Sequence, residues 1–166
     1  MPLFIHTNDN KTITIDDIKP YSKIKLIMNL LNLDENELNN DENNDENNDE
    51  NNNENIDNYE FELDTSYFIL NKILEYSKYI YTIKDLNITE QDMYNYLNEF
   101  LDCKNETLCN LLNTADYLQY DDLVEVICDK IADDIQKCDS IETIKKKFNV
   151  KNIISKEEEE ELIKNI

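Results

Sequence analysis

The sequence holds few side chains of the types that carry out catalysis. His6 is the one histidine among 166 residues, and it lies in a segment that is predicted to be a β-strand. An imidazole works as a general base or a metal ligand beside a nucleophile, a thiolate or a second histidine, and the sequence places none of these nearby. We expect a structural role for His6, with no cofactor and no metal site.

The four cysteines, at positions 103, 109, 128 and 138, form no C-x-x-C pair. Cys128 falls on an apolar helical stripe, and Cys109 lies beside one. Because a free cysteine packs as a small hydrophobe, we expect buried, reduced thiols. Residues 1–3 do not begin a signal peptide, so the expected compartment is the cytoplasm, the nucleus or both, in a host cell if the source is a virus or a parasite.

Motifs for phosphate, nucleotide and acyl chemistry are also missing. The chain contains no glycine, and the loops that cradle phosphates or dinucleotides need backbone without a Cβ atom. Left-handed turn positions must then be occupied by asparagine. Carboxylates are abundant, but nearly all fall in one acidic stretch or on polar helical faces, and none forms the pattern of a fixed pair in a dry cleft. The sequence predicts a protein that is not an enzyme.

The formal charge is −22, from 16 lysines and 38 acidic residues, with no arginine. Nucleic acids and anionic membranes bind basic surfaces, and no stretch of the chain is long and apolar enough to span a bilayer. We therefore expect neither a nucleic acid nor a membrane as a partner.

Residues 34–57 differ in composition from the rest of the chain. They comprise 11 acidic residues, 11 asparagines, Leu38 and Ile56, and they carry half of the net charge. This segment lacks the apolar surface to offset the roughly 1–2 kcal/mol per residue that backbone ordering costs. The spacing of its carboxylates matches no EF-hand loop, so a calcium site is not expected. The composition predicts a disordered acidic insertion.

Period-two alternation predicts strands early in the chain. Residues 3–16 are typical of a β-hairpin with its turn at 8–10, where Asn10 takes the left-handed position. Residues 59–63 are predicted to form a third strand with one solvated face. A helix with Pro20 in its first turn is predicted between the hairpin and this strand.

Apolar spacings of three and four predict helices after the third strand. Asp64 is the expected N-cap of the first of them, residues 79–88 are an expected linker, and residues 89–92 resemble a capping box. Asp121 and Ser140 are the expected N-caps of later helices. Strands followed by helices predict an α+β fold, in which helices pack on one side of a small sheet. Apolar side chains expected to share one face of their helix are Leu70, Ile73 and Leu74, then Leu108, Leu111, Leu112, Ala115 and Leu118, then Val124, Ile127, Cys128, Ile131 and Ile135.

Residues 139–166 leave two interpretations open. They carry apolar side chains at helical spacing after a unit that already looks complete. These helices either fold back and close the core or present an apolar face to a partner protein. The pattern by itself favours neither interpretation.

Four segments resemble the S-phase kinase-associated protein 1 family, the adaptors of SCF-type (Skp, cullin, F-box) ubiquitin ligases. They are residues 112–118 (LNTADYL), 123–128 (LVEVIC), 144–150 (IKKKFNV) and 155–160 (SKEEEE). The acidic stretch also lies where these proteins carry an acidic loop. The resemblance implies a BTB/POZ domain at residues 1–138 and a C-terminal, F-box-binding helical extension at residues 139–166.

The resemblance further implies two protein-binding sites. In this family the BTB part binds the N-terminal region of a cullin, which implies cullin contacts by Asp116 and Tyr117. In the same family the last BTB helices and the extension hold an F-box motif. The resemblance therefore favours the interpretation that residues 139–166 present an apolar face to a partner protein. The implied F-box contacts are Ile131, Ile135, Ile144, Phe148, Asn149, Val150, Lys151, Asn152 and Ile154.

A non-catalytic adaptor is therefore the function that the resemblance implies, with an F-box protein and a cullin as partners. A self-associating BTB scaffold, including a weak homodimer, is an alternative, because BTB faces often homodimerise. A competitor that engages one partner and blocks the ligase is another. An elongin C-like adaptor is disfavoured, because elongin C is essentially the BTB unit alone.

Overall fold

A sheet of three strands opens the described part of the chain, which is residues 2–33, 59–84 and 86–150 of a computed structural model. In spatial order the strands are β2 (Thr12–Ile15), β1 (Leu3–Thr7) and β3 (Tyr59–Leu63). β1 and β2 are antiparallel and form a hairpin, whereas β1 and β3 are parallel. A parallel pair needs a crossover connection, and the long segment between β2 and β3 supplies it. The predicted hairpin and third strand are both confirmed.

Six α-helices lie within the described ranges, one before β3 and five after it. They are α1 (Lys25–Leu30), α2 (Tyr67–Ile83), α3 (Glu90–Leu101), α4 (Asn105–Tyr117), α5 (Asp121–Gln136) and α6 (Ile141–Lys147), and a 3₁₀ turn covers Lys19–Tyr21. The predicted α+β fold class is therefore confirmed. In the part of the chain described, no helix has both the length and the apolar character that crossing a membrane requires.

The chain divides into two compact units, Met1–Cys128 and Asp129–Ile166, which we call the first unit and the second unit. The division falls inside α5. The predicted domain boundary at 138/139 stays a prediction. The predicted acidic insertion at 34–57 and the predicted capping box at 155–158 lie outside the described residues.

The start of α2 differs from the prediction. Ser66 is the N-cap, because its side-chain oxygen accepts a hydrogen bond from the Ile69 amide at 3.4 Å. The predicted cap, Asp64, instead accepts a hydrogen bond from the Asn8 side chain at 3.0 Å. Serine and aspartate are both good N-cap residues, so local preference does not choose between Ser66 and Asp64. The hydrogen bond from Asn8 in the hairpin turn occupies the Asp64 carboxylate, and Ser66 caps the helix. α2 also continues through the first part of the predicted linker at 79–88, so that prediction is wrong there.

Other helix starts are partly as predicted. Thr89 forms the predicted capping box, and Ser140 caps α6 by accepting from a backbone amide. Pro20, however, lies in the 3₁₀ turn and not in the first turn of α1. Asp121 is the first residue of α5, not the residue before it, and its carboxylate pairs with Lys25.

Asparagine occupies most of the left-handed backbone positions found in the described residues. Asn10 in the hairpin turn has a φ of 59°, as predicted, and Asn32 and Asn149 each have a φ of 51°. Gln119, which follows the end of α4, is the other such residue in these ranges, with a φ of 55°. This conformation costs an ordinary residue about 1–2 kcal/mol, and asparagine tolerates it better because its short side chain can hydrogen-bond locally. The chain thus forms tight turns without glycine.

The apolar stripes of α2 and α4 supply most of the core of the first unit. The two helices pack against each other, and α2 also packs against the 3₁₀ turn. Their stripes are completely or almost completely buried, and so are two side chains at the start of α5. These residues are Leu70, Ile73, Leu108, Leu111, Ala115, Leu123 and Ile127.

An aromatic cluster attaches α3 to α2. The ring of Tyr76 lies 5.0 Å from that of Phe100 and 5.9 Å from that of Tyr120, measured between centroids. Tyr79 stacks on Tyr96 with centroids 3.5 Å apart. Burial raises the pKa of Tyr96 to about 12 and also raises the pKa of Tyr76 and of Tyr120, so these phenols stay protonated at neutral pH. The cluster therefore packs as uncharged rings.

Leu111→Ala is expected to lower the free energy of unfolding by about 2–5 kcal/mol, because Leu111 is fully buried and the substitution leaves a cavity among packed neighbours. Urea unfolding followed by far-UV circular dichroism measures this change. Leu86→Ala is the matched control: Leu86 is exposed, so the free energy should change by less than about 0.5 kcal/mol. Equal losses in the two variants would contradict the packing described above.

Candidate functional site

A groove of about 920 Å³ lies in the first unit between the hairpin turn, the end of β3 and the last turns of α4. Most of its lining residues carry a polar group, and these groups include an ammonium group, carboxylates, hydroxyls and side-chain amides. Such mixed polar walls are typical of the rim of a protein interface. The lining residues of the hairpin are 6–8 and 10–12, those of β3 and its exit are 62–65, and those of α4 are Asn113, Thr114 and Tyr117.

Hydrogen bonds hold the walls of this groove in place. The hydroxyls of Thr65 and Thr114 are buried and 3.0 Å apart, which joins α4 to the connection after β3. On the hairpin side, the Asp9 carboxylate accepts from the Thr7 hydroxyl at 2.6 Å and from the Tyr67 amide at 2.9 Å. These hydrogen bonds lower the pKa of Asp9 to about 2, so the carboxylate is charged at neutral pH. The hairpin turn is thereby tied to the start of α2.

Tyr117, which we predict to contact a cullin, lines the groove from the last residue of α4. Its side chain is 61% exposed, although Ala115 and Leu118 beside it are fully buried. Asp116 is exposed as well, but it is not a lining residue of the groove. The structure therefore brings Tyr117 together with the hairpin turn and leaves Asp116 outside this group. Both cullin contacts stay predictions.

Sequence reasoning missed the polar residues that share the groove with Tyr117. Asn8 lies in the hairpin turn, Lys11 follows it, and Asn113 lies one helical turn before Tyr117. Turn chemistry signals the hairpin itself, but no local pattern connects residues 8–11 with residue 113. The fold alone brings these side chains to one place.

His6 also lines the groove, and its ring links two strands. Its Nδ1 atom lies 2.9 Å from the Thr12 hydroxyl, which joins β1 to β2, and its Nε2 atom lies 3.7 Å from a Glu60 carboxylate oxygen. Among the residues that the structure describes, no cluster of histidine, cysteine and carboxylate side chains could hold a metal ion.

The thiols are less buried than predicted. None of the four cysteines forms a disulfide, but Cys128 is exposed, and Cys103, Cys109 and Cys138 are partly exposed. Cys128 follows the fully buried Ile127 on α5, and one helical step turns a side chain by about 100°. The predicted burial of Cys128 is therefore wrong, because a sequence stripe does not tell how far around the helix the core extends.

A buried carboxylate joins α6 to the end of α5 within the second unit. Asp134 lies 2.9 Å from the Lys130 ammonium and 3.4 Å from that of Lys147, while the Cys138 thiol donates to its backbone carbonyl at 3.2 Å. Burial by itself would raise the pKa of Asp134, but the hydrogen bonds and charges of the two lysines outweigh it and hold the pKa below its ordinary value. Asp134 is therefore an ionised link between the two helices.

The predicted F-box contacts of the second unit range from half-buried to exposed. Ile135 is 38% exposed and Val150 is 52% exposed, whereas Ile131, Ile144 and Phe148 are half-buried. Asn149 is exposed and left-handed at the end of α6. Lys151, Asn152 and Ile154 lie outside the described residues. Every F-box contact stays a prediction.

Ile141 is an apolar residue of α6 that the predicted F-box contacts do not include. It is 56% exposed at the first position of the helix. It is spaced three and seven residues before Ile144 and Phe148, and that helical periodicity could have marked it as a contact. Ile135, Ile141 and Val150 are the exposed large apolar residues of the second unit within the described ranges.

Comparison with known proteins points to one family. Residues 121–165 match the family model described as "Skp1 family, dimerisation domain". SKP1-like protein 11 of Arabidopsis thaliana is 35% identical over 92 residues, which is 55% of this chain and 60% of that relative, and SKP1-like protein 12 is 34% identical over the same shares. SKP1-like protein 1 of Oryza sativa subsp. japonica is 38% identical over 72 residues, 43% of this chain and 41% of the relative.

The small three-stranded sheet with its helices is an α+β arrangement consistent with the BTB/POZ-like fold. The family model and the relatives agree, so the chain is similar to proteins of the Skp1 family. The matched region of the chain spans about 60% of the length of the two Arabidopsis relatives.

Asp134→Asn is expected to loosen α6, because Lys130 and Lys147 lose the carboxylate that both contact. Since the native pKa of Asp134 is below the ordinary value of roughly 3.9, its contribution to stability is present above that pH and is lost as the pH falls through the native pKa. Hydrogen exchange of the Ile144 and Phe148 amides, corrected for intrinsic rates, measures the effect. The variant should exchange faster at neutral pH and match the wild type at low pH.

Asp133→Asn is the matched control for this experiment. Asp133 is the neighbouring residue on α5, and it is exposed, so its replacement should leave the exchange of the α6 amides unchanged. Wild-type protection that stays constant down to low pH would show that Asp134 does not stabilise α6.

Proposed function

We propose that this protein is a non-catalytic adaptor of an SCF-type ubiquitin ligase, which joins the N-terminal region of a cullin to an F-box substrate receptor. Similarity to the Skp1 family supports this role. An adaptor needs no reactive side chain, because it accelerates ubiquitin transfer by raising the effective concentration of substrate, to about millimolar with short connections. We expect it to act in the cytoplasm, the nucleus or both.

The observation that carries the proposal is the exposure of large apolar side chains in the second unit. Ile141 and Val150 have more than half of their surface exposed, and both lie in the segment that matches the Skp1 family model. Where such exposed apolar side chains lie next to one another, they usually mark an interaction site. The F-box contacts that we propose are Ile131, Ile135, Ile144, Phe148, Asn149, Val150, Lys151, Asn152 and Ile154.

The end of α6 has a geometry that suits an anchor residue. Phe148 is the C-cap, and its amide bonds to the Ile144 carbonyl at 3.0 Å. The left-handed turn at Asn149 then lets the Val150 amide bond to the Lys145 carbonyl at 2.9 Å. These bonds hold Phe148 and Val150 in a defined turn, and a side chain that is already ordered loses less entropy when a partner binds.

The cullin contacts that we propose are Tyr117 and Asp116 on α4. Tyrosine is enriched among the residues that dominate protein interfaces, since it combines a large apolar ring with a hydroxyl. Tyr117 sits at the edge of a groove whose walls are held by the Thr65 and Thr114 hydroxyls. A rigid setting of this kind lowers the entropic cost of binding.

Tyr117→Ala is expected to weaken binding of a cullin N-terminal fragment by about 2 kcal/mol or more, roughly thirtyfold in Kd, with little effect on F-box binding. Phe148→Ala should produce the reverse pattern. Isothermal titration calorimetry with each fragment as a separate partner measures both affinities. Equal losses at both sites, together with loss of the folded circular dichroism signal, would mean that these residues belong to the ordinary core.

Two exposed aromatic residues outside the proposed contacts provide controls. Tyr94 on α3 is 62% exposed, nearly the same as Tyr117, so Tyr94→Ala tests the effect of removing an exposed tyrosine. Phe68 on α2 serves in the same way for Phe148→Ala. Neither control variant should change either affinity by more than roughly twofold.

A self-associating scaffold is the second candidate function. The same exposed Ile141 and Val150 would suit a homodimer, and the matching family model carries the description of a dimerisation domain. A competitor adaptor can be distinguished from a working adaptor by the same titrations, because it would bind only one of the two fragments, the cullin or the F-box fragment.

Size-exclusion chromatography with light scattering separates the adaptor from the scaffold. As an adaptor, the wild type should be a monomer, or a weak dimer that an F-box peptide dissociates, because both would use the same apolar surface. As a scaffold, it should be a stable dimer that ignores the peptide, and Ile141→Asp should convert it to a monomer by placing a charge in the interface.

A further inference from the structure

A second groove of about 390 Å³ lies in the first unit, away from the groove beside Tyr117. It is bordered by the 3₁₀ turn, the second half of α2 and the first turn of α3. The two grooves share no lining residue among those described. Its volume is within the range of pockets that hold a small ligand or a few side chains of a peptide.

The floor of this groove is apolar and accessible. Pro20, Ile80, Ile83 and Met93 line it and are only half-buried, and the exposed Tyr81 stands at its edge. A ligand that covers these side chains would gain about 25 cal/mol of binding free energy for each Å² of apolar surface that it removes from water.

Lysine is the only charged residue type that lines this groove within the described ranges. The side chains are Lys19 in the 3₁₀ turn, Lys23 just after it and Lys84 at the end of α2. Asp122 pairs with Lys23. Lys19 and Lys84 form no ion pair with any residue that the structure describes. Lys84 lies at the C-terminus of α2, where the helix dipole favours a positive charge, but this effect does not explain the position of Lys19. Three lysines at one groove are unusual in a chain with 38 acidic residues and 16 lysines.

We propose that this groove binds an acidic peptide segment of a partner protein. One apolar side chain of the segment enters the floor formed by Ile80, Ile83 and Met93, and carboxylates on either side of it pair with Lys19 and Lys84. The site is distinct from the contacts proposed for a cullin and for an F-box protein, so it would bring a third partner to the same chain.

The charge of the whole chain favours a short acidic segment over a long polyanion. Fields of exposed charges are screened beyond about 8 Å at physiological ionic strength, so a short segment responds mainly to the lysines beside it. A nucleic acid would extend far past them onto a surface with a formal charge of −22. A membrane is disfavoured for the same reason.

Fluorescence anisotropy of the full chain with a short labelled peptide tests the proposal, the probe being one leucine flanked on each side by glutamates. We expect saturable binding that weakens as salt is added. Lys19→Glu combined with Lys84→Glu should weaken it roughly tenfold, because two ion pairs become repulsive contacts. A peptide with serine in place of the leucine should also bind more weakly, since it cannot fill the apolar floor.

Lys104→Glu combined with Lys137→Glu is the matched control, because it changes the net charge equally at two exposed lysines that line neither groove. This variant should keep the wild-type affinity within roughly twofold. Absence of peptide binding, or equal losses in both double variants, would overturn the proposal. Binding that appears only after residues 34–57 are deleted would also overturn it, because the groove would then belong to the chain's own acidic segment.

Discussion

The packing of α4 against α2 is the interaction on which the first unit depends. Leu108, Leu111 and Ala115 are buried on one side of α4, and a repeat of 3.6 residues per turn then leaves Asn113 and Tyr117 at the edge of the core. α4 cannot rotate to hide Tyr117 without exposing its leucines to water, which would cost about 1.5–3 kcal/mol for each. The exposure of Tyr117, on which the proposed cullin contact rests, therefore follows from the core.

Electrostatics act locally in this protein, in spite of its large negative charge. Lys23 and Lys25 pair with Asp122 and Asp121, which joins the segment around α1 to the start of α5. These pairs are exposed, and such pairs usually contribute less than about 1 kcal/mol. Asp134 is different because it is buried and contacts two lysines, so loss of its charge would matter more. Lys25, Lys130 and Lys147 thus have defined positions in ion pairs, and Lys19, Lys23 and Lys84 line the second groove of the first unit.

Local chemistry predicted much of the fold, and it failed where a distant partner intervened. Strand alternation, the Asn10 turn, the capping box at Thr89 and the cap at Ser140 each depend on residues close in sequence, and each is confirmed. Local sequence does not distinguish Asp64 from Ser66 as the N-cap of α2. The Asp64 carboxylate does not cap the helix because it accepts a hydrogen bond from Asn8 in the hairpin. Cys128 has the helical spacing of the apolar residues of α5. How much of the helix circumference is buried, however, depends on the elements that pack against α5. The groove beside Tyr117 could not be foreseen, because its residues come from three separate segments.

The sequence by itself determined the α+β class, the glycine-free turns, the excess of negative charge and the similarity to the Skp1 family. These properties depend on composition and on spacings within single elements, which any one stretch of chain carries. Tertiary structure decided which carboxylates serve as caps, which lysines share a groove and which face of α4 remains in solvent. Those outcomes depend on side chains brought together from distant positions, and their relative placement is set by the packing of the core and not by local preference.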